Sequence, residues 1–484
     1  MTYIYVVLTG AKFNLVAGFF LVFVLIATNV NNLLSPRLWG DAVPYFGSKI
    51  TFSSPEVMEV LSNLRPAYGL VLILTSNLID FGISASLFYL TAVFFNGLSA
   101  FLLADSLKKQ GFSKTVCFIS ALGVITLPSF QNYTQDLVMW IFNPLIALII
   151  FFYSRAQLNN RLTIWRLMPL CVLTVLVYQP LFGIILLLFF LRLLALQNRT
   201  ETQVLDLRST LKFLAYNFVA LFLQVLVALI FATCLNRRFG IELSTRTELV
   251  SDLYEVKQKV VWIISVLVGT LLRPWFVSTA TPSLIASFVI STTIIIVGLL
   301  RLRNSIAETK FILGIFPVLV LFSSNAPLVI EQNQFEFRAF PSLCLGGLIW
   351  LITLLDSALS SFKIVFLQQI LVFTIAIVAF LTTLSSSYNL WTRPTEIRDE
   401  LINRALDSNS KKYCQIIPEG TFALLNNLGI YSIKSDLTMS WVRENIIRVI
   451  AKDRSIRGIE VVEVRNAELC PPEFERVDFT ILSK

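Results

Sequence analysis

Residues 13–30 read FNLVAGFFLVFVLIATNV, an uninterrupted run without a single charged side chain. A stretch of about 18 or more apolar residues is long enough to cross a bilayer as a helix. Lipid offers no partner to an open backbone, so a crossing element is a helix or a strand of a closed barrel. The run is continuous rather than alternating with period two, which selects the helix. Lys12 precedes it and no small-residue cleavage site follows Val30, so the run is expected to remain as the first helix rather than to be removed as a signal.

The same pattern recurs along the chain. Further apolar runs fall at 68–79, 83–104, 117–128, 137–153, 167–178, 181–196, 211–234, 260–273, 283–300, 311–330, 340–356 and 364–385. The run 68–79 is short and ends at Asp80, and 260–273 is short and bounded by Lys257, Lys259 and Arg273, so both are expected to dip into or lie along a membrane. Eleven crossings remain, which puts the N-terminus inside and the tail outside. The inside loops then carry Lys108, Lys109 and Lys114, Arg155, Arg161 and Arg166, Arg192, Arg199 and Arg208, Arg301, Arg303 and Lys310, and Lys363. The outside loops 129–136 and 179–180 have no Lys or Arg, in line with the positive-inside bias; the loop 235–259, with Arg237, Arg238 and Arg246, runs against it.

Composition agrees with an all-α polytopic membrane protein. Of 484 residues, 56% are hydrophobic, 14% are charged and 40 are phenylalanine, too apolar for a chain with a water-facing surface. The net charge of +9 is spread through short loops, which argues against nucleic acid as a partner and for the lipid bilayer. There is no histidine, so Ser-His-Asp triads, histidine bases and histidine-held metals are excluded. No cofactor is expected, although carboxylates alone could hold a divalent ion.

Past the last run the composition turns polar. Residues 1–391 read as the membrane domain and 392–484 as a small α/β domain outside it, with helical patterns at 396–406 and 441–450 and strand-like runs at 459–464 and 477–482. Cys117, Cys171, Cys234 and Cys344 fall in or at apolar runs. Cys414 and Cys470 lie in the tail and could pair if it is exported to an oxidising compartment.

The first outer loop, 31–66, places one carboxylate, Asp41, between Trp39 and Tyr45. Within it Ser53-Ser54-Pro55-Glu56 reads as a helix start, with a serine cap, proline at the first position and an acid in the first turn. Val57, Val60 and Leu61 then share one face of a short amphipathic helix. Asp80, Asp136, Glu331 and Glu336 also fall near the outer face, where an acid beside apolar sequence marks either simple solvation or a functional cavity. PSFQNYTQD, residues 128–136, reads as a polar hairpin suited to hydroxyl-rich ligands, and Tyr178-Gln179-Pro180 breaks an apolar stretch at the same face. Arg65, Arg273 and Arg338 are the cations there, each either a phosphate fork or a headgroup anchor.

Taken in order, Asp41, Arg65-Pro66, Asp80, then Pro128, Asn132, Tyr133 and Asp136, then Tyr178-Gln179, resemble the O-antigen glucosyltransferases of bacteria and phages, the Gtr membrane family of the GT-C class. The likeness covers residues 13–200 most specifically. Two departures stand out: Gly40 and Ala42 flank Asp41 where the family often has adjacent acids, and Leu64 precedes Arg65 where glycine is usual. The resemblance implies inverting transfer of a sugar, glucose in that family, from a polyprenyl-phosphate donor to a glycan acceptor on the outer side of the inner membrane. It gives Asp41 the role of base, an outer arginine (Arg65 or Arg338) that of phosphate ligand, and Asp80, Asn132, Tyr133, Asp136, Tyr178 and Gln179 that of a sugar site. A lipid-linked sugar transporter or flippase and an O-antigen polymerase are the rival readings. The first tends to show broken helices paired between two halves, which are not apparent here, and the second normally lacks a polar C-terminal domain.

Overall fold

The computed structural model describes residues 11–34, 50–80, 85–158, 167–195, 207–243, 252–272, 274, 281–301, 307–323, 340–360, 365–386, 393–407, 411–416, 460–464 and 467–478. The described chain is mostly helical. In order the helices are α1 (Ala11–Leu34), α2 (Pro55–Ser62), α3 (Pro66–Asp80), α4 (Ala85–Lys109), α5 (Lys114–Thr126), α6 (Pro128–Gln135), α7 (Phe142–Leu158), α8 (Met168–Val177) and α9 (Gln179–Ala195). They continue with α10 (Leu207–Arg238), α11 (Leu253–Trp262), a π-helical turn (Ile263–Leu267), α12 (Val268–Leu272), α13 (Thr281–Arg301), α14 (Ala307–Phe322), α15 (Pro341–Ser360), α16 (Val365–Ser386) and α17 (Arg393–Leu406). Among the described residues four helices are long and apolar enough to cross a membrane, or five if α5 and α6, bent by 44° at Leu127, count as one. Seven shorter apolar helices accompany them.

Proline opens α2, α3, α6 and α15, where its missing N–H costs no hydrogen bond and its fixed φ suits the first turn. In α2 the face expected from the sequence is the one buried, namely Val57, Val60 and Leu61. The expected serine cap differs in detail. Ser54 occupies the cap position without bonding the helix, and its hydroxyl instead accepts from Thr51 N at 2.9 Å.

Contacts between helices fix how they align. A Cβ on Gly183 of α9 would lie 2.2 Å from Ser323 O and 2.5 Å from Ser342 Oγ, and one on Gly346 would lie 2.9 Å from Leu187 Cδ1. Positions 183 and 187 of α9 thus match 342 and 346 of α15, so the two helices run in the same direction, with the second turn of α9 level with the first of α15. Small residues permit this approach, as is common where lipid supplies no hydrophobic drive between helices. A Cβ on Gly347 would meet Leu271 O at 2.4 Å, so α12 ends against the second turn of α15. The starts of α9 and α15, the end of α14 at Ser323 and the bend between α5 and α6 therefore meet at one end of the bundle.

The polar tail forms a small sheet. β1 (Lys412–Ile416) lies between β2 (Glu460–Val464) and β3 (Glu475–Asp478) in an all-parallel sheet of order β2-β1-β3. The helix expected at 396–406 and the strand at 459–464 are present. The strand expected at 477–482 begins earlier, β1 has no counterpart in the sequence reading, and 441–450 lies outside the described residues. Among the described residues one cluster of the tail comprises Cys414, Ile416, Cys470 and Phe474, with Val462 against them, and Ile402, Leu406, Tyr413 and Val477 are buried besides. A cluster of this size holds a fold weakly by itself. Cys414 and Cys470 are disulfide-bonded across 56 residues, with Cα atoms 5.8 Å apart. In the chain-entropy view, closing such a loop stabilises the fold by about 4 kcal/mol. The Cys414→Ala/Cys470→Ala pair of substitutions is expected to leave the helical bundle intact while making the tail proteolytically labile. Limited proteolysis of the full chain, with fragments mapped by mass, checks this, and a tail as resistant as wild type would contradict it.

Candidate functional site

The site begins with a break. Pro128 cannot donate a backbone hydrogen bond, so the α5 helix cannot continue through it, and carbonyls at the end of α5 lose their i+4 partners. Lipid would leave them unsatisfied at a cost of several kcal/mol each. Three side chains from different parts of the chain take the place of the lost N–H groups. Asn96 Nδ2 of α4 donates to Val124 O at 3.2 Å, Gln131 Nε2 of α6 donates to Ile125 O, and Thr383 Oγ1 of α16 donates to Thr126 O at 3.0 Å.

Helix α6, PSFQNYTQ, is polar and yet buried at every position. The reading of 128–136 as a polar outer hairpin is corrected here: the segment is a short helix held inside the bundle. It is held there by partners invisible in its own sequence. Gln135 Nε2 is shared among Thr28 O at 3.3 Å and Asn29 Oδ1 at 3.2 Å on α1 and Gln131 Oε1 at 3.3 Å, while Asn143 Nδ2 donates to Tyr133 O at 3.0 Å. Asp136, also buried, caps the following 3₁₀ turn (Leu137–Met139), its Oδ1 accepting from Val138 N at 3.1 Å. Tyr89 of α4 lies close enough to feel the Asp136 charge and bonds the backbone of Leu137. The Oδ1 of Asn132, on the same helix, has no hydrogen-bond partner among the described residues.

An aromatic stack joins this helix to a cation. Tyr133 sits edge-on to Phe142 at 5.2 Å, Tyr178 stacks on Phe142 at 4.8 Å and 10°, and the Arg65 guanidinium lies 4.7 Å over Tyr178. Arg65 Nε donates to Gln179 Oε1 at 2.8 Å, and Gln179 Nε2 donates back to Asn63 O at 3.1 Å. Gln179 therefore ties the arginine to the turn that carries it. Tyr178, in extended conformation, is the break between α8 and α9 expected from the sequence.

The turn before Arg65 has a recognisable form. Arg65 N donates to Val60 O and Leu64 N to Leu61 O, the two bonds of a Schellman motif closing α2. That motif wants a left-handed residue, usually glycine, and Leu64 holds φ of +60°. The same position is where the resemblance leads one to expect glycine.

Of the residues singled out in the sequence, Arg65, Tyr178 and Gln179 touch, Tyr133 joins them through Phe142, and Asn132 and Asp136 belong to the buried helix and its cap. Tyr133 is fully buried, so its ring supports the stack. Asp80 ends α3, with its side chain outside the described residues. Asp41 and Arg338 lie outside the described residues altogether, as do Arg273, Glu331 and Glu336. Among the described residues, no group of three or more Asp, Glu or Cys side chains gathers that could hold a metal ion. Sequence reasoning missed Asn96 and Thr383, whose signal was only an amide or hydroxyl inside an apolar run, and it read Gln131 and Gln135 as part of a ligand-facing hairpin where they bond within the protein. It also noted Lys259 only as a boundary. This lysine is 4% exposed, its Nζ lies 4.7 Å over Trp262, and burial pushes its ammonium down to about 8.

No family model matches this chain, and no curated protein matches it.

Two outcomes are expected from this geometry. Leu64→Gly should raise stability by about 1 kcal/mol by relieving the left-handed leucine, whereas Leu64→Ala should not; a thermal-unfolding midpoint in detergent that does not rise for glycine would contradict the strain. Gln131→Leu should cost about 1–3 kcal/mol, because it strips Ile125 O of its buried donor, and an unchanged midpoint would show that the carbonyl has another partner.

Proposed function

We propose that the chain is a polytopic, inverting GT-C-type glycosyltransferase that moves a sugar, glucose by the resemblance, from a polyprenyl-phosphate carrier to O-antigen or a similar surface glycan. The observation that carries the reading is the placement of Arg65. A planar cation is fixed by Gln179 and Tyr178 at one end of an apolar helical bundle, beside a buried polar helix. An arginine fork suits a phosphate, and a bound phosphate leaving group needs a cation that does not reorganise during the reaction.

In this reading the bundle crosses the inner membrane eleven times. Support comes from the alternation of helix ends. The second half of α1, the start of α4, the α5–α6 bend, the start of α9, the ends of α10 and α14, the start of α15 and the end of α16 all make contacts at the Arg65 end. Both Tyr68 and Thr75 of α3 bond to the turn around 138–140, in keeping with a helix that stays at that end. The orientation in this reading is supported by the tail's disulfide. Helix α16 reaches the same end through Thr383 and leads to the tail, and the tail's disulfide requires an oxidising compartment. The tail and the Arg65 end are then extracytoplasmic, and the N-terminus is cytoplasmic.

Asp41 of the first outer loop is the base that takes the acceptor hydroxyl's proton as the sugar's anomeric carbon leaves the phosphate through an oxocarbenium-like transition state. Arg65, with Arg338, holds the phosphate as negative charge develops on it. Asn132, Asp136 and Asp80 are assigned to the sugar, with Tyr133, Tyr178 and Gln179 holding the shape of the site. In membranes supplied with polyprenyl-phosphate sugar and acceptor glycan, Asp41→Asn at wild-type level should reduce transfer by about 10²–10⁴-fold. Arg65→Lys, which keeps the charge and loses the fork, should raise donor KM with acceptor KM unchanged. Glycan mass spectrometry reads both, and full sugar addition by Asp41→Asn would remove the base from this scheme.

A further inference from the structure

Helix α10 meets the turn that carries Arg65 with the last residue of its buried face. Phe218, Phe222, Ile230 and Phe231 are exposed, while Leu221, Gln224, Ala228, Ala232 and Asn236 are buried. The helix packs on α8 and reaches α2 at its end, where Asn236 Nδ2 donates to Leu61 O at 2.7 Å across 175 residues of sequence. Asn236 is itself held by its backbone. Ile241 N donates to Asn236 O at 2.9 Å and Gly240 N to Arg237 O at 3.2 Å, with Gly240 at φ of +65°, a Schellman motif that closes α10. The amide thus projects from a defined helix end.

Leu61 O belongs to the turn that presents Arg65. It also accepts from Leu64 N at 2.9 Å in the motif closing α2, and that motif holds Leu64 in the left-handed region. A leucine persists there only where its surroundings over-determine the backbone. Two amides from separate helices do so, Gln179 of α9 at Asn63 O and Asn236 of α10 at Leu61 O. They differ in one respect. Gln179 also bonds the guanidinium, whereas Asn236 acts on the backbone that carries it. Packing alone does not account for an amide at 236. Its Oδ1 is buried with no hydrogen-bond partner among the described residues, a cost that offsets what Nδ2 gains. An amide kept at that cost serves the conformation of the turn more than overall stability.

We propose that Asn236 is a positioning residue for Arg65: by holding Leu61 O it fixes the left-handed turn before Arg65, and so the direction from which the guanidinium meets the donor phosphate. The inference rests on the reading of Arg65 as the phosphate ligand. Without the amide, Leu64 can relax out of the left-handed region, the peptide before Arg65 turns with it, and the planar fork loses its fixed starting point. A Leu64→Gly change lets the same turn form at little cost, which makes the α10 amide dispensable. Coupling between positions 64 and 236 is therefore the signature of this role, and packing of α10 against its neighbours would not produce it.

The test uses the purified full chain in phosphatidylcholine nanodiscs, with farnesyl phosphate as probe and farnesol as the control lacking phosphate. Asn236→Leu should weaken farnesyl phosphate binding about tenfold with farnesol unaffected, and Leu64→Gly/Asn236→Leu should recover it to within about threefold. Added to Arg65→Ala, Asn236→Leu should cost less than about twofold more, because both act through one contact. Wild-type affinity in Asn236→Leu would overturn the proposal. So would its full loss recurring on top of Arg65→Ala, a loss shared by farnesol, or no recovery by Leu64→Gly, each of which would mean a general structural role. Where Asn236→Leu does not fold, Asn236→Ala carries the same expectations. The Arg65 variant separates this from the broader reading. If Arg65→Ala loses farnesyl phosphate and Asn236→Leu does not, Asn236 fails and Arg65 stands as the phosphate ligand; wild-type binding by Arg65→Ala overturns both. If binding depends on Asn236 through Arg65 but no sugar transfer occurs, the positioning stands and the enzyme reading fails.

Discussion

A carbonyl oxygen in a low-dielectric interior must be hydrogen-bonded, and Pro128 removes the donor for one of them inside an apolar bundle. Most of the site's arrangement follows from meeting that requirement. Because Val124 O, Ile125 O and Thr126 O are bonded by side chains of α4, α6 and α16, the bend is fixed from three directions. Because α6 then starts afresh inside the bundle, its polar groups need partners in turn; Thr28 and Asn29 take the Gln135 amide and Asn143 the Tyr133 carbonyl. Each pairing draws in a helix remote in sequence. The polar network thus specifies which helices meet at this end, a task that hydrophobic contact alone performs poorly when the surrounding lipid is equally apolar.

Arg65 depends on the same construction at one remove. Its ring partner Tyr178 is stacked on Phe142, and Phe142 is held edge-on by Tyr133 of the buried helix. Its hydrogen-bond partner Gln179 opens α9, whose second turn is seated against α15 by the absence of a side chain at Gly183. A guanidinium at the tip of a long side chain would ordinarily sample many rotamers, and fixing it costs up to about 2 kcal/mol of entropy. Here that cost is met within the fold, before any ligand arrives.

How much of this was legible in the sequence depends on whether the signal was local. The continuous run at 13–30, the buried face Val57, Val60 and Leu61, and the break at Tyr178-Gln179 are properties of short windows, and each appears where the sequence puts it. Burial of 128–135 is not a local property. Nothing in PSFQNYTQ is apolar with helical period, and its partners sit about a hundred residues earlier on α1 and in the α4–α7 region. The resemblance pointed to Asn132, Tyr133 and Asp136, yet could not say that they sit inside the bundle. In the tail, KYCQI of β1 carries no strict alternation, and only the count of cysteines indicated that position 414 would be a fixed point.

The two buried or half-buried cations also show why residue type alone is a poor guide to placement. Lys257 and Lys259 are two positions apart and chemically identical, and from sequence both read as the polar edge of a short apolar run. Two residues on a helix correspond to a rotation of about 200°, so one must face nearly opposite to the other. Which of them turns inward is decided by Trp262, three positions after Lys259 and therefore on its side of the helix, because Trp262 packs against Phe340 and brings that face into the protein. The aromatic contact sets the helix rotation, and the rotation carries the lysine in with it.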